Sequence, residues 1–290
     1  MTAPSLIQHV SDTAFLVAHH RATESARPDA LFSDPLAGRL AGPRGAAIAH
    51  SLPTEKMSAW TLAIRTVVID GFISEAIAGG VDTVVNLGAG LDTRPYRLAL
   101  PPSLEWIEVD YPEVIAFKEQ RLAGETPRCR LSRFGQDLAD RPSRRALFGQ
   151  LDARGQRLLV LTEGVVPYLE VAEVAALAED LRALPHVRAW IVDYLSPQML
   201  AYRQRKEMDR AMGQAPFKFR PDDWFGVFSG HGWRRREIRY LPREGARRGR
   251  PAPLPWPARI IIGLTRPLAR GRPAGTTFDT FSGYAVLEPA

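Results

Sequence analysis

The sequence predicts an α/β fold: a mostly parallel sheet with helices on both faces. Three observations carry that prediction. Short apolar or β-branched runs recur at 83–90 (TVVNLGAG), 104–111 (LEWIEVDY), 157–169 (RLLVLTEGVVPYL) and 188–195 (RAWIVDYL). Helix-compatible stretches lie between them, with 171–184 (VAEVAALAEDLRAL) the clearest. The first run ends in Gly88-Ala89-Gly90, the signature of a strand turning tightly into a helix. Apolar strands alternating with helices describe a sheet buried on both faces.

The 290 residues suffice for one large domain or a domain with a cover. Apolar residues at 45% and charged residues at 24% fit an ordinary globular chain. Cys129 is the single cysteine, which excludes an internal disulfide and makes a cysteine-based metal site untenable; no metal site is expected. The N-terminus lacks a basic stretch followed by an apolar core, and no run approaches ~18 uninterrupted apolar residues. A cytoplasmic protein without a membrane partner is therefore expected. The net charge is +6, and only four of the 38 basic residues are lysines, Lys56, Lys118, Lys206 and Lys218. The arginines are scattered except at 234–236 and 243–250, which argues against a nucleic-acid partner. The triplet Arg234-Arg235-Arg236 reads as a solvated face.

Residues 1–80 are expected to form a helical N-terminal cap. Asp12-Thr13 precedes a helical pattern with Phe15, Leu16 and His19 in phase. Asp34-Pro35 marks a loop giving way to a short helix, because proline suits a first helical turn. A longer helix covers 58–78, with Trp60, Ile64, Val67, Val68 and Phe72 on or near one side, and Gly79-Gly80 stops it. Residues 81–290 are expected to form the ligand-binding unit, with an inserted lid around 197–275. Within it, 94–100 and 201–213 are helix-compatible, 241–257 is rich in Pro, Gly and Arg and reads as an exposed loop, and 277–289 reads as a final edge strand. The aromatics Phe217, Phe219, Trp224, Phe225 and Phe228 pack either the core of the lid or an apolar substrate pocket.

The chemistry concentrates at the ends of the predicted strands. Ligands of open α/β sheets bind there, and Gly88 and Gly90 let a ligand approach the backbone. Asp110 ends the second run, twenty residues after Gly90, where a carboxylate can hold ribose hydroxyls. A dinucleotide fingerprint needs a third glycine at position 93, but Thr93 stands there with Asp92 beside it, which disfavours a pyrophosphate. Asp137, in Gln136-Asp137-Leu138, is either an adenine contact or a turn aspartate. Glu163-Gly164, within 161–169, closes another strand at the same edge.

These segments resemble the bacterial branch of the leucine carboxyl methyltransferase family. The resemblance rests on 21–25 (RATES), 34–37 (DPLA), Arg65, 86–94 (NLGAGLDTR), 109–112 (VDYP) with Lys118, Asp137-Leu138 and 163–169. It spans most of 11–195 and weakens after 200. It implies a Rossmann-like class I methyltransferase with a seven-stranded, mostly parallel sheet and S-adenosyl-L-methionine as cofactor. By position, Gly88, Ala89, Gly90 and Tyr111 would line the cofactor, Asp110 would hold its ribose, and Asp137 with Leu138 its adenine. Glu163 and Gly164 would face the methionine amino group, Arg65 the methionine carboxylate and the substrate carboxylate, and Arg21 with His20 the same tail. Tyr168 would approach the acceptor. Arg65 and Tyr168 are the candidate catalytic residues.

The acceptor expected from this resemblance is a carboxylate on a small-molecule or peptide natural product, anionic and largely apolar or aromatic. A carboxylate is already ionised at neutral pH and needs no base, only cations and donors to hold it. A phenol would call for one of His9, His19, His20, His50, His186 or His231, and none falls in a motif that marks it as a base. The alternatives are a hydroxyl O-methyltransferase of secondary metabolism, a NAD(P)-dependent oxidoreductase, and a non-catalytic binder of S-adenosylmethionine.

Overall fold

A computed structural model describes residues 6–52, 54–205, 215–258 and 275–290. Three helices come first: α1 (Asp12–Ser25), α2 (Ala37–Ser51) and α3 (Glu55–Ala78). The alternating unit follows as β1 (Thr83–Leu87), α4 (Arg94–Arg97), β2 (Glu105–Asp110), α5 (Pro112–Arg121), β3 (Arg130–Gly135), α6 (Arg141–Asp152), β4 (Leu158–Thr162), α7 (Val171–Arg182) and β5 (Val187–Leu195). The chain closes with α8 (Pro197–Arg205), α9 (Trp224–Ser229), β6 (Trp233–Tyr240), α10 (Leu241–Arg247) and β7 (Ser282–Pro289).

The seven strands form one sheet in the order β3-β2-β1-β4-β5-β7-β6. The first five are parallel, and β7 runs antiparallel to both neighbours. The expected architecture is therefore observed: a seven-stranded, mostly parallel α/β sheet behind a helical N-terminal segment. Strand alternation splits the core. Val85, Leu87, Val160, Trp190 and Val192 face α6, α7 and α9. Val84, Leu159, Leu161, Ile191, Tyr284 and Val286 face α3 through Ile64, Val68, Ile69 and Phe72. Each strand interior is shielded on both sides, which is why these runs carry almost no polar residues.

Several expectations change. The run 277–289 is not an edge strand: β7 sits between β5 and β6, and the edge is β6, which contains Arg234-Arg235-Arg236. The alternation of Gly283, Ala285 and Leu287 with Tyr284 and Val286 suits two-sided burial, and the arginines blunt the exposed edge. The stretch 241–257 is not simply a loop, because α10 buries Leu241, Pro242, Glu244 and Gly245. Pro242 fits its first turn. The helix expected at 94–100 is one turn long and ends where Leu98 becomes extended. The helix expected at 201–213 is α8 to Arg205, and 206–213 lies outside the described residues. The interval 197–275, expected to hold a lid, contributes β6 to the sheet itself. No helix among the described residues is long and apolar enough to cross a membrane.

Candidate functional site

The chain leaves β1 for β2 on one side and later returns to β4 on the other. The strand order thus reverses at β1, where open α/β sheets form a ligand crevice beyond the carboxyl ends of the strands. A cavity of about 650 Å³ occupies this position and extends to α8 and the start of β7. Twelve positions singled out from sequence line it: Arg21, Arg65, Gly88, Ala89, Gly90, Asp110, Tyr111, Asp137, Leu138, Glu163, Gly164 and Tyr168. Val10, Thr13, Ala14, Leu16 and Val17 of the N-terminal segment cover it from outside the sheet.

The glycine loop is built as its sequence requires. Gly88 (φ 68°) and Gly90 (φ 47°) lie in the left-handed region that side chains disfavour. A Cβ on Gly88 would also collide with Cγ2 of Val165. The Gly88 and Ala89 N–H groups donate to the Val109 carbonyl at 2.8 and 3.1 Å, which pins the loop to β2. Asp110 accepts the Gly90 N–H on Oδ2 at 2.6 Å and the Tyr111 N–H on Oδ1 at 2.7 Å. Burial pushes its carboxyl above the ordinary aspartate value, against the pull of those two donors. Each carboxylate oxygen keeps a lone pair for a ligand. Asp137 is an exposed turn residue whose Oδ1 accepts the Ala139 N–H at 2.8 Å, beside Leu138 at the cavity rim.

Beneath the loop lies a buried ionic network. Arg94, 1% exposed, bonds Asp70 through Nε (2.6 Å) and both Asp92 (2.9 Å) and Glu163 (2.6 Å) through Nη1. Asn86 donates to Asp92 at 2.9 Å. Asp92 is thus held charged by Arg94 against the cost of burial, its pKa far below the ordinary value. Arg21 bonds Asp34 (2.8 Å) and the Leu91 carbonyl (2.5 Å). Thr93, where a dinucleotide fingerprint would have glycine, donates its hydroxyl to the same Asp34 at 2.6 Å. Position 93 therefore fastens the N-terminal segment to the loop. Lys118 pairs with Glu108 at 2.7 Å, both fully buried, and supports β2 from below.

At the other end of the cavity, Arg65 of α3 pairs through Nε with Glu163 at 2.8 Å. Burial opposes its charge, but Tyr284, Glu163 and Asp193 together raise its pKa above the ordinary arginine value. Tyr168, in a 3-10 turn at Val166–Tyr168, bonds the Thr13 side chain and meets Phe217 edge-on at 5.2 Å. Burial raises the Tyr168 pKa. Arg203 of α8 lies over the Phe217 ring, 4.2 Å from its centre, and completes this wall.

Sequence reasoning missed Asp193. It is 8% exposed, lines the cavity, accepts the Tyr284 hydroxyl at 2.6 Å and receives the Gly164 N–H at 3.0 Å. Burial lifts its carboxyl to about 6. The available signal was alternation: Ala189 and Ile191 face α3, so Asp193 does too, at the ligand edge.

One open alternative is decided and one expectation is corrected. Of the five aromatics between 217 and 228, only Phe217 lines the cavity; Phe219, Trp224 and Phe228 are core against Trp190 and Trp233, and Phe225 stacks on Tyr194 at 5.2 Å. Their rings meet one another and Trp190 edge-on or tilted on the α7 side of the sheet. His20, expected near the methionine tail, does not line the cavity; burial, then His19 and His50, lower its pKa to about 4, so it is neutral at pH 7. The other five histidines are also absent from the lining.

Residues 14–182 match the family described as leucine carboxyl methyltransferase. A protein of Parafrankia sp., named as an S-adenosyl-L-methionine-dependent methyltransferase, is 35% identical over 252 residues, covering 79% of this chain and 78% of its own. One from Frankia alni, named likewise, is 30% identical over 277 residues, covering 88% and 94%. Among solved structures, a DUF574 family protein from Streptomyces avermitilis has a TM-score of 0.56 at 15% identity, covering 96% of this chain and 97% of its own, a likeness of fold alone.

Proposed function

This chain belongs to the leucine carboxyl methyltransferase family and is an S-adenosyl-L-methionine-dependent methyltransferase; from that premise we propose that it methylates a carboxylate on a largely apolar small molecule or peptide end. S-adenosyl-L-methionine supplies, when bound, a methyl group on a positively charged sulfur. The donor set fits it: a glycine cradle at Gly88–Gly90, a ribose-directed carboxylate at Asp110, and acidic and basic groups for a zwitterionic tail. In this reading Asp110 and Tyr111 hold the ribose side, Asp137 and Leu138 the adenine, Glu163 and Gly164 the ammonium, and Arg21 and Arg65 the methionine carboxylate. Helices over 1–80 act as the cap, and the interval 197–275 carries the acceptor wall through Arg203 and Phe217.

The observation that carries the acceptor class is the presence of both Arg65 and Tyr168 in a cavity lined by no histidine. Arg65 presents a planar fork suited to a carboxylate, and Tyr168 a hydroxyl donor. The acceptor oxygen is ionised before it arrives, so the residues need only align it at about 3 Å and exclude water. The test is to incubate the protein with methyl-labelled cofactor and matched aromatic acids and phenols, then treat the product with mild base. A methyl ester releases labelled methanol, as expected here; an aryl ether keeps its label, and a base-stable product from the best substrate overturns the carboxylate reading.

A further inference from the structure

Asp193 places a second carboxylate in the half of the cavity assigned to an anionic acceptor. Its position is fixed from three sides. Strand pairing sets it directly opposite Tyr284, whose hydroxyl it accepts. The backbone of Gly164 donates to it from the end of β4. Arg65 stands on the far side of that glycine: a Cβ on Gly164 would lie 3.6 Å from Arg65 Nη1. The charged and titratable groups facing Asp193 are Arg65 on α3, Glu163 beyond β4, Tyr284 on β7 and Tyr168 in the 3-10 turn. Only one is a cation, and that cation already pairs with Glu163.

An acid entering this space adds its carboxylate to those of Glu163, Asp193 and the methionine tail around Arg65. Neighbouring carboxylates out of contact with water do not all remain ionised, so the group least stabilised as an anion takes a proton. Glu163 is not that group, because Arg94 and Arg65 lower its pKa against the cost of burial. The acceptor is not, because an ordinary carboxylic acid ionises at ~4, below Asp193 at about 6. We propose that Asp193 takes up one proton from solvent when an anionic acceptor binds, removing a competing negative charge from beside Arg65 and giving Asp193 an O–H to donate. Asp193 is then a positioning and specificity residue, acting through Arg65. Its carboxyl, near 6 before the acceptor arrives, is poised for the change. The inference rests on the carboxylate reading above.

Linkage gives the test. Binding coupled to uptake of one proton weakens about tenfold per pH unit above the Asp193 transition. The probe is whichever acid gives the best base-labile product, with KM measured from about pH 5.5 to 8.5. The expected result is a KM that rises with pH in the wild type and is nearly flat in Asp193→Asn, with kcat moving much less. Tyr284→Phe removes a hydrogen bond that favours the charged Asp193, so the rise should begin at higher pH, a readout that remains if Asp193→Asn does not fold. A flat wild-type profile, or an equal rise in Asp193→Asn, overturns the proposal while the methyl-ester product leaves the carboxylate reading standing. If Asp193 is instead the base for a hydroxyl acceptor, kcat/KM rises with pH and the best product is base-stable; that outcome overturns both.

Discussion

The backbone N–H of Gly90 donates to Asp110 Oδ2 at 2.6 Å, joining the loop after β1 to the end of β2. One carboxylate therefore holds the shape of the glycine loop and faces the cavity. Asp110→Ala should weaken S-adenosyl-L-methionine binding by about ten- to a hundredfold, since hydrogen bonds from a charged group contribute ~1.5–3 kcal/mol. Calorimetry on the folded variant checks this, and unchanged affinity would remove Asp110 from the cofactor site.

Gly88 cannot take a side chain without strain. Its φ is 68°, and a Cβ would strike Val165. Gly88→Ala should cost on the order of 1–3 kcal/mol of stability and impair cofactor binding. Gly88→Ala with Val165→Ala should recover only the steric part. Full recovery in denaturant melts would show that the left-handed backbone is not a constraint.

Arg65→Lys keeps a charge for Glu163 but loses the planar fork. Methyl transfer to an acid should fall by about tenfold or more in kcat/KM, with the melting temperature shifted by a few degrees at most. A variant that retains full activity would make Arg65 a structural partner of Glu163 alone.

His20 sets a limit on acid stability. Its folded pKa is about 4, against an ordinary value of 6.5. Between those values the unfolded chain binds a proton that the folded chain refuses, so stability is constant above about 6.5 and declines as pH falls toward 4. The loss approaches ~2–3 kcal/mol near pH 4. His20→Gln should flatten this decline in denaturant melts compared at about pH 7.5 and 5. An undiminished decline would assign it to other groups.

The part of the fold with one apolar period per element was legible in sequence: β1, β2, β4, β5, α3 and α7 all fall where their patterns indicate. What escaped was decided by tertiary pairing. The arginines of 234–236 hide β6, because an edge strand tolerates charge on its open side. β7 looks like an edge from alternation, yet β6 pairs along it. The glycine loop, Asp110 and Glu163 stand in local motifs at strand ends, and Arg65 is reached only through the family resemblance; all of them line the cavity. Asp193 was not, because its meaning depends on Tyr284, 91 residues away. Neither was the division of the aromatics, since Phe217 and Phe219 share chemistry and differ only in which way the chain turns them.

The proposed function puts the cofactor at Gly88–Asp110 and an acid at Arg65, Tyr168 and Arg203, all lining one cavity. A crystal structure with S-adenosylhomocysteine tests that division most directly. The ribose hydroxyls should meet Asp110, the adenine should lie beside Asp137 and Leu138, and the sulfur should point toward Tyr168 with the space before Arg203 and Phe217 left open. A ribose bound away from Asp110, or an adenine seated against Phe217 and Arg203, would contradict the account.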